Sequence, residues 1–271
     1  MTTKIIIAMH KPYKTPEESV YLPLHVGAEG KDMIPGLTRD DTGENISSKN
    51  PMYCELTGLY WAWKNLDADA IGLVHYRRYF TVKDRSFQKK HANDLMACVL
   101  RSSEAEALME EYDIVVPAKR RYYIESLYSH YAHTLDAKHL DLAQQVIHKQ
   151  CPAYDAACKK VYASTWGYMF NMCIMRKEYL DAYCSWLFPI LAELEVAMQG
   201  ELAHMSAFEA RLFGRVSEIL FNVWLMHAQE EDTAPRVHEV ATMHMEPINW
   251  VKKGGAFLRA KFFGKKYGAS F

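Results

Sequence analysis

Ile71-Gly-Leu-Val-His-Tyr-Arg-Arg-Tyr-Phe80 starts as an uninterrupted apolar run and turns basic within two residues. A short run that is apolar at every position fits a strand covered on both faces. In open α/β sheets ligands bind outside the carboxyl ends of such strands. The arginines that follow carry fixed planar forks that match phosphate geometry. On an extended segment neighbours point to opposite faces, so one of Arg77 and Arg78 is expected to reach a ligand and the other to brace the loop. The plainer alternative is a surface arginine pair held by acids.

The rest of the chain supplies the partners such a strand needs. Ile5 to Met9 is a second strand-length apolar run, ended by His10-Lys-Pro12. Tyr13 to Asn50 has no clear period and reads as a long ordered excursion, a length usually functional in a compact enzyme. Met52 to Asn65 has helical spacing at Leu56, Leu59, Tyr60 and Trp63, with Pro51 suited to its first turn. Asn93 to Tyr112 and Ser129 to Lys149 read as helices. Asp113 to Pro117, the Met172 to Met175 region and Val237 to Met243 read as strands, and 180–197 and 208–228 as long helices. Short buried strands alternating with helices predict an α/β fold with a mostly parallel central sheet flanked by helices. With no repeat and no low-complexity linker, residues 1–247 are expected to form one domain.

The 271 residues are 49% hydrophobic and carry a formal charge of −1, which excludes a nucleic-acid binder that works through overall charge. Cys54, Cys98, Cys151, Cys158, Cys173 and Cys184 form no C-x-x-C pair and read as reduced thiols. Met1-Thr-Thr-Lys runs straight into Ile5 without the layout of a signal peptide, and no apolar stretch is long enough to span a bilayer. A cytoplasmic location is the expectation. Residues 248–271 differ: six Lys/Arg and no acid, interleaved with Trp250, Phe257, Leu258, Phe262, Phe263 and Tyr267. That mixture predicts an interfacial tail on an anionic membrane, hence a place against the inner face of the cell membrane. A basic helix packed on the domain, or a disordered end, is the alternative.

Several clusters carry candidate chemistry. Asn45, Ser47, Lys49 and Asn50 can read a base, a ribose or a phosphate, with Glu55 at the same helix end, although Asn50 before Pro51 also suits a cap. Asp67-Ala-Asp69 has the D-x-D form that holds the donor's metal in many sugar transferases. It precedes its strand, at the far end of the sheet, and reads as a solvated turn. No metal ligand is assigned, and the arginines are expected to supply part of the charge neutralisation that a divalent metal gives elsewhere. His130, His133 and Asp136 recur at i, i+3 on one helical face near His139, as a polar wall of an acceptor cleft, a metal site or a solvated face. Asn171 opens a strand, where its amide can meet a sugar hydroxyl. Glu218 sits in an apolar helix beside Arg211 and Arg215. There it forms a structural ion pair or acts as a general base of raised basicity.

Taken together, His10-Lys11, Asn45-Ile-Ser-Ser-Lys-Asn50, Tyr53-Cys-Glu-Leu-Thr57, Tyr60-Trp-Ala-Trp-Lys-Asn65, Gly72-Leu-Val-His-Tyr-Arg-Arg-Tyr-Phe80, Asn171-Met172 and the Arg211 to Leu220 helix resemble one family. It is the bacterial capsular and exopolysaccharide glycosyltransferase family first catalogued as a domain of unknown function. The resemblance implies a GT-A-like nucleotide-sugar fold and hexosyl transfer from a UDP-sugar to a lipid-linked oligosaccharide. Some members are similar to galactofuranosyltransferases. On that basis His10, Lys11, Asn45, Ser47, Lys49, Asn50, Glu55, His75, Tyr76, Arg77 and Arg78 are expected at the donor, and His130, His133 and Asn171 at the sugar or acceptor. For an inverting reaction the residues themselves make Glu218, then Asp136, the expected base. The rival class is a non-catalytic nucleotide- or polysaccharide-binding subunit of an export assembly. A phosphotransferase is disfavoured by the lack of a P-loop.

Overall fold

In chain order the elements are β1 (Thr3–Met9), β2 (Tyr21–His25), β3 (Thr38–Arg39), α1 (Asn50–Tyr53), α2 (Leu56–Asn65), β4 (Ala70–His75), β5 (Arg78–Thr81), α3 (Arg85–Lys90), α4 (Ser102–Glu111) and β6 (Ile114–Pro117). There follow β7 (Arg120–Arg121), α5 (Leu127–Thr134), α6 (Lys138–Gln150), α7 (Asp155–Ala163), β8 (Trp166–Gly167), β9 (Cys173–Arg176), α8 (Lys177–Leu202), α9 (Leu212–Ala228) and β10 (Val237–His244). This computed structural model describes residues 1–246, so the basic tail at 248–271 lies outside the described residues. Two compact units are present. The first comprises Met1–Ala118, Phe170–Cys184 and residues 235–246; the second comprises Lys119–Met169 and Ser185–Ala234.

In the first unit β1 is buried from Ile5 to Met9, and its alternating side chains need cover on both faces. Ile5, Ile7 and Met9 enter a core with Val74, Tyr79, Ala105 and Met109, the last two from α4. On the other face α2 comes so close that a Cβ on Gly58 would lie 2.8 Å from Val26 Cγ1 and 3.3 Å from Ile6 Cδ1. A glycine there allows the close approach.

The main sheet has the order β3-β2-β1-β4-β5-β10-β6-β9, with β4 also paired to β9. The ladders β3–β2, β2–β1, β1–β4 and β6–β10 are parallel; β4–β5, β5–β10, β6–β9 and β4–β9 are antiparallel. The expected mostly parallel sheet is therefore a mixed one, and β4, β5, β10, β6 and β9 close on themselves in a small barrel-like ring. The apolar run of β9 says that this strand is buried but not which way it runs, and Arg78-Tyr-Phe-Thr81 of β5 has no apolar run of its own. Gly72 permits the closure, since a Cβ on it would sit 2.9 Å from the Cys173 carbonyl oxygen.

Three helical spans differ from the sequence reading. Residues 93–112 do not form one helix: a short 3-10 turn over Leu95–Cys98 precedes extended Val99 to Arg101, and α4 follows. The Leu100 N–H is taken by the Phe80 carbonyl and the Cys98 carbonyl by Thr81 Oγ1, which holds the break open. The helix expected over 129–149 stops at Thr134 and restarts at Lys138. The excursion 13–50 contains β2 and β3. In the second unit β7 pairs with β8, α7 packs on α9, and Tyr168 exchanges backbone hydrogen bonds with the Asn222 side chain. No helix among the described residues is long and apolar enough to cross a membrane.

Candidate functional site

The carboxyl ends of β1 and β4 are adjacent in the first unit, and the amino end of β5 lies between β4 and the carboxyl end of β10, in the register Ala8↔His75, His75↔Arg78 and His244↔Arg78. His75 and Arg78 face each other across a hairpin whose turn is Tyr76-Arg77. The buried Tyr76 ring receives His10 edge-on at 5.2 Å and Tyr13 at 4.7 Å, with the Arg77 guanidinium 5.1 Å away. Lys11 lies 5.5 Å from the Tyr13 ring.

The two arginines diverge. Arg77 is half exposed and pairs with the half-exposed Glu246 at 3.2 Å, and Tyr13 donates to the same carboxylate. Hydrogen bonds from Tyr13 and Arg77 hold the Glu246 carboxyl below its ordinary pKa. The Arg78 guanidinium instead lies over the Phe170 ring, 4.4 Å from its centroid. An exposed ion pair is worth little in water, so Arg77 can exchange Glu246 for a more strongly charged anion at small cost.

Behind the turn lies a strained network. His75 Nε2 meets the Phe170 carbonyl at 2.7 Å; since a carbonyl only accepts, Nε2 carries the hydrogen. Burial pushes the His75 imidazole below its ordinary pKa, against the pull of the nearby Glu55 charge. Phe170 and Asn171 have φ of +77° and +53°. Two consecutive non-glycine residues there cost roughly 1–3 kcal/mol each, a strain typically found at functional positions. The turn they make aims Asn171 Nδ2 at Glu55 Oε1, 2.7 Å away. Cys54, next to Glu55, has φ +54°, and its carbonyl accepts from Asn50 Nδ2 at 2.7 Å.

The loop assigned to the donor is built around a fully buried carboxylate. Asp40 accepts from the N–H groups of Gly27 at 2.8 Å and Ala28 at 2.9 Å, from Thr57 Oγ1 at 2.7 Å, and from the Ser47 hydroxyl. Four donors compensate the burial of its charge. Ser47 also accepts from the Glu29 N–H, Asn45 closes on Gly43 and Ser47, and Asn50 packs against Gly27 and bonds Thr57. The polar atoms of Asn45, Ser47 and Asn50 thus serve the scaffold. Lys49 lies 5.5 Å from the Tyr53 ring. Asp69 accepts from the N–H and hydroxyl of Thr2 at the amino end of β4, away from the ligand edge.

In the second unit the histidines have a partner that the spacing did not reveal. The buried Glu125 carboxylate receives His130 Nδ1 at 2.9 Å and His133 Nδ1 at 2.7 Å. Burial pushes the Glu125 carboxyl up, but those two hydrogen bonds outweigh it and leave its pKa below the ordinary value. Asp136 does not share the helical face of His130 and His133, because α5 ends at Thr134; it is exposed and accepts from the Lys138 N–H. Glu218 is half-buried on α9. Its charge, with those of Asp136 and Arg215, bears on the buried Tyr131 phenol, which bonds His139 Nδ1 at 3.0 Å. Among the described residues no group of three or more His, Cys, Asp or Glu side chains is placed to hold a metal ion.

Glu125, Asp40, Phe170 and Glu246 were not legible as site residues. Tyr13 and Glu246 are 233 residues apart, and no local spacing could join them. Glu125 precedes its histidines by five and eight residues across a helix start, where helical periodicity does not apply.

This mixed α/β architecture is shared with a glycosyltransferase. The chain is similar to the apo structure of WbbM, a bifunctional glycosyltransferase, with a TM-score of 0.81 and 31% identity. The match covers 91% of this chain and 46% of that one, so the chain spans less than half the length of WbbM. A family profile matches residues 4–230, and the chain belongs to that family, described as a domain of unknown function (DUF4422). Comparison with the curated proteins gives no match.

Proposed function

We propose that this protein is a glycosyltransferase that moves a hexosyl residue from a UDP-sugar to a lipid-linked oligosaccharide in surface polysaccharide synthesis, with galactofuranosyl as the first donor to test. The observation that carries the reading is the basic, strained carboxyl edge of the first unit in a chain that is 31% identical to a glycosyltransferase. In a GT-A-like arrangement the nucleotide lies along His10, Lys11 and the loop to Asn50, and Arg77 meets the diphosphate. Arg78 and Tyr76 brace that edge, and His75 fixes the Phe170–Asn171 turn. Asn171 and Glu55 meet hydroxyls of the donor sugar. His130 and His133 bind acceptor hydroxyls.

In the reaction an acceptor oxygen bonds to the anomeric carbon as the bond from that carbon to UDP breaks. In an inverting transfer the acceptor proton passes to a carboxylate base, with Glu218 the first choice and Asp136 the second. The charge on departing UDP is met by arginine, lysine or a divalent metal. The cytoplasmic face of a membrane, reached through the basic aromatic tail, is where a lipid-linked acceptor is presented.

The test is UDP release from a panel of UDP-sugars, with and without EDTA and with lipid-linked acceptor. Release that depends on one donor supports transfer. No release with any donor would favour a non-catalytic binding subunit. Glu218→Gln is expected to lower kcat about 100-fold or more if Glu218 is the base.

A further inference from the structure

Tyr123 and Ile124 are 82% and 61% exposed, the adjacent pair among the large hydrophobic residues exposed in the described part of the chain. They are not a frayed end. On one side Tyr122 is buried and donates its N–H to the Thr165 carbonyl at 2.8 Å. On the other, the buried Glu125 is fixed by His130 and His133, and Ser126 caps α5 through Ser129. Tyr123 has φ +56°, and the Ile124 N–H turns back to the Tyr122 carbonyl at 2.6 Å. The backbone between two anchors is thus bent so that two apolar side chains face water.

The flank of this tip is basic. Lys119, Arg120 and Arg121 precede it, no acid lies between 119 and 124, and both arginines of β7 are exposed. A stable protein partner requires about 800 Å² per side, far beyond what two side chains supply. Interfacial insertion needs only a few apolar groups, with cations at headgroup depth, and tyrosine is a residue that settles at that level.

We propose that the 119–124 tip is a membrane-contact site of the second unit that takes an anionic lipid surface. Ile124 enters the acyl boundary, Tyr123 lies among the headgroups, and Arg120 and Arg121 meet lipid phosphate. The proposal rests on the membrane side of the reading above and not on its sugar chemistry.

The test is co-sedimentation of the full-length protein with phosphatidylcholine vesicles, with and without phosphatidylglycerol. The parent is compared with the double variants Tyr123→Ser/Ile124→Ser and Arg120→Ala/Arg121→Ala, and thermal melts and UDP release are measured in parallel. The expected result is an about tenfold or greater drop in partition onto anionic vesicles for each double variant, with unchanged melting. The apolar double variant is decisive: if it partitions as the parent does, or if the parent shows no preference for anionic vesicles, the proposal is overturned. A tip that docks a protein instead would give that same parent-like partition. Failure of UDP release with vesicle binding intact would count against the transferase reading and leave the tip standing.

Discussion

Asn171 donates its side-chain amide to the Glu55 carboxylate at 2.7 Å, across 116 residues of sequence. The bond exists because Phe170 and Asn171 both hold left-handed backbone, an arrangement with a conformational cost.

Asn171→Gly and Asn171→Ala separate the two contributions. Both lose the amide, but glycine accepts the φ of +53° without the penalty that alanine incurs of roughly 1–2 kcal/mol. Chemical denaturation should therefore rank Asn171→Ala about 1 kcal/mol or more below Asn171→Gly. Donor turnover should fall about tenfold or more in both. Equal stability of the two variants would mean that the turn is not strained in solution.

Arg77→Ala should weaken UDP binding by roughly 10- to 100-fold, the effect of one charge-assisted phosphate contact. Glu246→Gln removes a competing carboxylate and should tighten UDP binding a few-fold. Arg78→Lys should leave UDP affinity near the parent value but cost about 1 kcal/mol of stability, because an ammonium does not cover the Phe170 ring as a guanidinium does. Titration calorimetry and denaturation check all three, and a UDP affinity indifferent to Arg77→Ala rejects the assignment.

Asp40→Asn replaces a pure acceptor by a group that can accept at only one end, against four donors. We expect a loss of about 2–4 kcal/mol, with hydrogen-exchange protection falling first at Gly27 and Ala28. Protection unchanged at those amides would show that the loop is held by other means.

Acid should destabilise the fold in a defined window. Burial lowers the pKa of His75 and of His130, and the hydrogen bonds to Glu125 lower that of the carboxyl. For His130 the Glu125 charge opposes burial, while Arg120 and His133 add to it. For His75 the Glu55 charge and the Phe170 carbonyl oppose burial, while Arg78 and Arg77 add to it. In each case the unfolded chain binds the proton more readily. Stability is therefore fully present above the ordinary values of 6.5 for histidine and 4.5 for glutamate, and is lost as pH falls through the lower folded values. Melting temperature should drop from pH 7 toward pH 4, and His130→Gln should flatten the upper part of that slope. A rise in melting temperature on acidification would refute the sign.

What local physics dictates is legible in the residues themselves. The runs of β1, β4 and β6 were legible because strands buried on both faces must be apolar throughout, and α2 because its period is strict. β2 was missed because Tyr21-Leu-Pro-Leu-His25 contains a proline and lies in a segment rich in turn formers. The direction of β9 was missed because apolar content does not encode polarity of the chain. In the candidate site, His75 to Arg78 could be placed from the strand that carries them. Nothing in the spacing of Asn45, Ser47 and Asn50 shows that Ser47 donates to Asp40 or that the two amides close on Gly43, Ser47, Cys54 and Thr57.

Strands β6 and β9 are hydrogen-bonded neighbours, Ile114 opposite Met175 and Val115 opposite Ile174, yet the chain between them departs for the whole of 119–169. The second departure, within α8, returns at Pro235 just before β10, which is itself paired to β6. Sheet pairing thus pins both ends of the first segment, whereas the second starts inside α8 and only its far end runs into a strand. Helix α7 of the first segment packs on α9 of the second, and Tyr168 bonds the Asn222 side chain, so a change of length in one segment must be matched in the other.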